Sequence, residues 1–204
     1  MNPEPDTRLR LRLFVAVELP GSWLEALDQA QTRLKRDLEP AVRLRWVRPE
    51  DIHLTLKFLG SVLKDDVPAL RGALDQSVFM SSQPRLQLGG LGWFASGRRL
   101  RVLWTGVTGD VEPLARLAAQ IDHACVALGF ATDPRPLAPH LTLARVPEGA
   151  RVDVDSIEPA LRGFRIGRGE GLEVKQIALI QSHLGQAGAR YEVLSTFRLR
   201  SLQA

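Results

Sequence analysis

His53-Leu54-Thr55-Leu56 and His140-Leu141-Thr142-Leu143 are one tetrapeptide written twice in a chain of 204 residues. Side chains on a strand alternate between its two faces, so in each copy the His and Thr share one face and the two leucines the other. Each copy is half chemistry and half core. A sheet that brings the two strands together sets two imidazoles and two hydroxyls on one surface, anchored from behind by four leucines. The chain holds only four histidines, and two of them fall in these copies.

Outward from the first copy, Leu11–Glu18 (LRLFVAVE) reads as a buried strand closed by Pro20-Gly21. Trp23, Leu24, Leu27, Ala30, Leu34 and Leu38 recur at helical spacing, with Ser22 placed to cap the helix and Pro40 to end it. Arg43–Val47 alternates as a short strand, and Arg48–Asp51 turns the chain into the first HLTL strand, which is expected to stop at Gly60. Val62–Val78 reads as a helix with Pro68 in its first turn. Arg85–Leu88 is a strand, whereas the glycine-rich Gly89–Gly97 reads as a loop that lacks the ending of a phosphate-cradling P-loop.

Outward from the second copy, Arg101–Val107 is a strand and Val111–Leu128 a helix ended by Gly129, with Leu114, Leu117, Ala118, Ile121, Cys125 and Leu128 on one face. A proline-rich approach, Ala131–Pro139, leads into the second HLTL strand. Two further strands, Gly171–Ile180 and Arg190–Leu199, flank a turn at Gly185–Gly188. Both halves therefore run strand, helix, histidine strand, with nearly equal spacing from Arg12 to His53 and from Arg101 to His140. Two such units related by a pseudo-twofold make an α+β arrangement of two lobes, with the histidine strands facing across a central cleft.

Composition narrows the classes. At 45% hydrophobic and 25% charged residues, the chain is an ordinary globular sequence with a core of its own. It has no run of 18 apolar residues, and Met1–Arg10 has no signal-peptide pattern, so a cytoplasmic protein without a membrane partner is expected. Cys125 is the only cysteine, which excludes an internal disulfide and a cysteine-based zinc cluster, and its apolar neighbours suggest a buried thiol. The net charge of +4 is carried largely by arginine, whose forked donors suit phosphate.

Two imidazoles facing one cleft suit a reaction that takes a proton at one end and delivers one at the other. Near neutral pH one ring can be neutral and the other protonated, since imidazoles titrate at about 6.5. The Thr hydroxyls can donate to anionic oxygens. A phosphodiester or cyclic phosphate needs this set: a base for attacking water, an acid for the leaving alkoxide, donors for the non-bridging oxygens. Zinc binding is the rival chemistry, but no Cys or carboxylate shares the strand face apart from Asp51, which can instead orient His53. His123 and His183 read as satisfied surface histidines. Arg43, Arg45 and Arg48 precede the first motif and Lys57 follows it; Arg135 precedes the second and Arg145 follows it. For Arg43 and Arg45 a solvated strand face stands beside a role in holding RNA backbone. Strict alternation puts Arg145 on the face opposite His140 unless a bulge intervenes. Trp46, Phe58, Trp93 and Phe94 can pack in the core or stack on bases. A non-catalytic RNA-binding module, in which the arginines matter and the histidines do not, remains the alternative to an enzyme.

The stretches RLFVAVELP, RWVRPEDIHLTLKFLG and PLAPHLTLARV resemble the two-histidine phosphoesterase superfamily, and within it the RNA 2′,3′-cyclic phosphodiesterases, long called 2′-5′ RNA ligases. The resemblance implies one bilobal domain over residues 1–204, with 1–10 a flexible N-terminus and duplicated strand-helix-strand units whose antiparallel sheets face a central cleft. It implies cofactor-free, metal-independent hydrolysis of RNA 2′,3′-cyclic phosphate ends to 2′-phosphates, with activity on 2′-5′ linkages as a related capacity; a monomer is expected. Carried over by motif, His53 is the acid and His140 the base, Thr55 and Thr142 bind phosphate, and Arg145 and Arg135 match arginines around the second motif; Arg45 and Lys57 are candidate substrate contacts from their position beside the first motif alone.

Overall fold

The computed structural model describes residues 8–39, 42–79, 81–133, 135–167, 170–185 and 188–200. Strand β1 (Arg10–Val17) is apolar on both faces. Leu13, Val15 and Val17 enter the main core, while Phe14 and Ala16 form a second small cluster with Ala178 and Ile180. Helix α1 (Gly21–Leu38) buries Trp23, Leu27, Ala30, Leu34 and Leu38 as their spacing requires. Its cap is the extended Pro20, whose carbonyl accepts from Trp23 N and Leu24 N, so the expected Ser22 cap is displaced into the first turn. Pro40 lies outside the described residues, as do residues 1–7 of the expected loose N-terminus; Arg10 is already paired with Leu63.

Strand β2 is only Arg45–Trp46, and a 3-10 turn at Pro49–Asp51 leads into β3 (Leu54–Leu63). β3 does not stop at Gly60. It passes through that residue at φ +72°, a conformation glycine adopts freely, and takes Val62 and Leu63 from the expected helix, which shortens to α2 (Val67–Val78) with Pro68 in its first turn. The expected glycine loop is also strand: β4 (Arg85–Ser96) pairs with β5 (Arg99–Gly109) along most of its length. A Cβ on Gly92 would overlap the Trp104 ring, so the glycine makes room for a side chain on the neighbouring strand.

Helix α3 (Val111–Val126) ends with Gly129 at φ +87°, its N–H on the Val126 carbonyl and that of Phe130 on Cys125, the paired bonds of a Schellman turn. Leu128 is consequently turned out and 42% exposed, off the buried face expected for it. Strand β6 (His140–Arg145) follows, then a connection carrying the short helix α4 (Glu158–Leu161). The expected strand Gly171–Ile180 divides into β7 (Leu172–Glu173) and β8 (Gln176–Gly185), which belong to different sheets; β9 (Gly188–Arg198) closes the chain. No helix among the described residues is long and apolar enough to cross a membrane.

Two antiparallel sheets result, in the orders β3-β1-β8-β9 and β2-β6-β5-β4-β7. The duplication is visible in them: each histidine strand lies beside the strand that opens its unit, β3 on β1 and β6 on β5. β3 is the edge of its sheet and is not hydrogen-bonded to β6, whose outer neighbour is β2 from the first unit. That crossover stitches the lobes, and Leu54, Leu56, Leu141 and Leu143 all sink into one core shared by both sheets.

Candidate active site

The two motifs hold their histidines in the same way. His53 precedes β3 and His140 opens β6. His53 Nδ1 lies 2.9 Å from the Asp51 carbonyl and His140 Nδ1 lies 2.8 Å from the Ala138 carbonyl, in each case two residues back along the chain. A carbonyl only accepts, so each Nδ1 carries the proton and each Nε2 is left as the working nitrogen. Asp51 thus orients His53 through its backbone, while its carboxylate takes Arg48 Nε at 2.6 Å. Aromatic rings wall both imidazoles. Phe14 stacks on His53 at 4.5 Å with Tyr191 edge-on at 5.0 Å, and Phe94 stands edge-on to His140 at 4.9 Å with Trp104 at 6.1 Å.

Beyond each Thr the strand bulges at the same place. Val15 and Ala16 pair with Lys57 and Thr55, skipping Leu56; Leu103 and Trp104 pair with Ala144 and Thr142, skipping Leu143. One extra residue reverses the alternation that follows. The fourth residue after each His therefore goes inward, Lys57 to 4% exposure and Ala144 to none, and the fifth comes out, Phe58 and Arg145. Phe58 lies 6.1 Å from the Phe14 ring that stacks on His53, and the charge of Arg145 acts on His53 itself. The second bulge is pinned by a buried Gln31 on α1, whose Nε2 donates to the carbonyls of Leu143 at 2.9 Å and Val47 at 2.8 Å.

Burial pushes the His53 pKa down to about 4, and the neighbouring Arg145 and His140 act in the same direction against the Asp51 carbonyl and charge. His53 is therefore neutral in the free protein near pH 7. Burial also raises the Tyr191 phenol, with Asp51 adding to it and Arg145, Arg12 and Arg45 opposing. A cavity of about 220 Å³ opens beside His53 between Glu18, Leu24, Ile52, Ile180, Tyr191 and Val193.

A LigT-like phosphoesterase family model matches residues 17–104 and 107–191, a range that contains both motifs and Tyr191. The chain belongs to the LigT-like phosphoesterase family. An RNA 2′,3′-cyclic phosphodiesterase of Geobacillus stearothermophilus is 32% identical over 191 residues, 93% of this chain and 58% of that protein, so the chain spans little more than half of that relative's length. One from Archaeoglobus fulgidus is 31% identical over 188 residues, covering 92% of this chain and 99% of its own. The crystal structure of E. coli LigT complexed with 3′-AMP superposes with a TM-score of 0.73 at 25% identity, over 95% of this chain and 100% of that one.

The remaining residues singled out by sequence separate clearly in this phosphoesterase. Arg45 sits directly opposite Arg145 in the β2–β6 ladder. Arg135 is 86% exposed and 3.7 Å from Asp133, and none of its contacts among the described residues reaches the imidazoles. Lys57 is spent elsewhere, its ammonium held by Asp122 of α3 and the Ala131 carbonyl. His183 pairs with Glu192 at 3.0 Å and His123 is exposed on α3. Cys125 is fully buried, which pushes its thiol up to about 11. Among the described residues no three His, Cys, Asp or Glu side chains gather as metal ligands. Phe14, Tyr191, Trp104, Arg12 and Gln31 escaped the sequence reading, although the alternation of β1 already sets Arg12 and Phe14 on one face.

Proposed function

We propose that this phosphoesterase hydrolyses the 2′,3′-cyclic phosphate end of RNA to a 2′-phosphate, with His53 and His140 as its two proton-transfer groups. The observation that carries the reading is the matched pair of Nδ1–carbonyl hydrogen bonds, which presents two free Nε2 atoms close enough for one ring's charge to act on the other. The names of the curated relatives support the same substrate.

Water attacks phosphorus opposite the 3′-oxygen; His140 takes its proton, and His53 protonates the departing 3′-oxygen, leaving a 2′-phosphate and a free 3′-hydroxyl. Thr55 and Thr142 donate to the non-bridging oxygens, and Arg145 supplies the compensating charge. The acid role of His53 asks for a proton that burial withholds in the free cleft. An anion beside an imidazole favours the charged ring, so the bound phosphate is what draws the proton onto His53. Both proton transfers come from side chains, so the step needs no metal. A 5′-hydroxyl in the place of water would form a 2′-5′ linkage at the same site, because the two rings are held alike. The catalytic unit is one two-lobed domain, residues 1–204, acting as a cytoplasmic monomer.

Turnover of an oligonucleotide ending in a 2′,3′-cyclic phosphate, measured in EDTA, tests the proposal. His53→Ala and His140→Ala should each lower kcat by roughly 10²–10⁴-fold, and full activity in either ends the assignment. An RNA-binding module would instead bind the oligonucleotide without turning it over in the wild type.

A further inference from the structure

Resting on that reading, we propose that Arg12 and Arg45 form a second phosphate subsite beside the reacting one, for a phosphate on the 5′-oxygen of the terminal nucleoside. Arg45 and Arg145 face each other across the β2–β6 ladder, so both guanidiniums leave the sheet on one side. Like charges directly opposite on neighbouring strands repel, and such a pair is relieved by an anion between or beside its arms. Arg12 approaches from the other sheet. It lies two residues before Phe14 on the face of β1 that stacks on His53.

All three arginines lie within electrostatic range of the Tyr191 hydroxyl, whose ring stands against His53, so the Arg45–Arg145 pair of one sheet and Arg12 of the other border the same end of the cleft. None of the three has a carboxylate partner among the described residues. The nearby carboxylate of Asp51 is taken by Arg48. The reacting phosphate is met by Arg145 and the two threonines, which leaves two guanidiniums, one from each sheet, for a further anion. In an RNA end that anion is the phosphate one nucleotide back. Phosphate contacts of this kind fix register without reading sequence, so the subsite selects substrates that carry a phosphate on the 5′-oxygen over those that lack one, whatever the base.

Three substrates separate the sources of that phosphate: a nucleoside 2′,3′-cyclic phosphate, the same nucleotide with a 5′-phosphate, and a dinucleotide ending in the cyclic phosphate. The wild type is expected to show kcat/KM about tenfold higher for the second and third than for the first, the size of one charge-assisted contact, with the advantage shrinking as salt rises. Arg12→Gln and Arg45→Gln should each remove most of that ratio. A preference confined to the dinucleotide assigns the subsite to an internucleotide phosphate. A ratio near one in the wild type, or one unchanged in both variants, overturns the proposal. If no cyclic phosphate is turned over at all, the functional reading fails by itself, and the subsite is judged by calorimetry with the 2′-phosphate products. Tighter, salt-sensitive binding of the dinucleotide product than of the nucleoside 2′-phosphate without a 5′-phosphate, lost in both variants, supports it; equal binding of those two refutes it.

Discussion

A buried, neutral His53 makes stability depend on pH in a way that one substitution removes. In the unfolded chain an imidazole titrates near 6.5, whereas burial holds His53 down to about 4 in the native protein. Between those values the unfolded state binds a proton that the native state refuses, so stability falls as pH falls through the window from about 6.5 to about 4. At pH 7.5 neither state is charged at this site. At pH 5 the unfolded ring is almost fully protonated and the native ring is not, which amounts to about 2 kcal/mol. His53→Gln keeps a neutral amide that can donate to the Asp51 carbonyl and has nothing to titrate. Urea unfolding in phosphate-free buffer at both pH values gives the two losses. The wild type should lose about 2 kcal/mol more than the variant on going from pH 7.5 to pH 5. Other groups titrate in both proteins and cancel in the comparison. Equal losses would show that His53 is solvated like a free imidazole, and the need for substrate to supply its charge would go with it.

The Lys57–Asp122 pair should be asymmetric to mutation, because the Lys57 side chain is 3% exposed and that of Asp122 is 25%. Asp122→Ala strands a buried ammonium on one carbonyl and should destabilise by about 3–5 kcal/mol, whereas Lys57→Met leaves a carboxylate that keeps Thr132 at 2.7 Å and some water, and should lose about 1–3 kcal/mol; urea midpoints in the reverse order would refute this. Gln31→Leu releases the bulge at Leu143 and should lower kcat/KM in the wild type by about tenfold while adding little in an Arg145→Ala background, since its effect runs through Arg145; a double-mutant cycle in which the two losses multiply would sink that reading.

Much of the fold was legible because its signals are local. The apolar run of β1, the helical spacing in α1 and α3 and the Gly129 stop each depend on residues within one element. What the sequence concealed depends on a partner elsewhere. Gly89–Gly97 carries every mark of a loop, yet only Gly97 turns, at φ +59°; Gly89–Ser96 is strand, where Gly92 has to admit Trp104 from β5. Gly171–Ile180 is one apolar stretch, and it divides because each sheet needs an edge or neighbour from it. Alternation alone sets each His and its Thr on one face of the strand; it does not carry to the residues after them. A bulge is a property of the pairing, so Leu56 and Leu143 give no sign of it, and it is the bulge that withdraws Lys57 from the cleft and delivers Arg145.

The same bulge bears on how a duplicated site acquires direction. Up to each Thr the two halves share the same tetrapeptide and the same Nδ1–carbonyl bond, with an aromatic ring stacked on His53 and one edge-on to His140. The first exposed position beyond the bulge is where they part, with a phenylalanine on the His53 side and an arginine on the His140 side. Phe58, mostly exposed and 6.1 Å from the Phe14 ring that stacks on His53, puts an apolar surface at that end on which a base can stack, while Arg145 puts a cationic one five residues beyond His140. Position 58 and position 145 thus supply what two identical motifs cannot, a polarity along the cleft. For the proposed cyclic-phosphate substrate that polarity predicts one seating, base toward Phe58 and phosphate toward Arg145, so that its 3′-oxygen meets one histidine rather than the other.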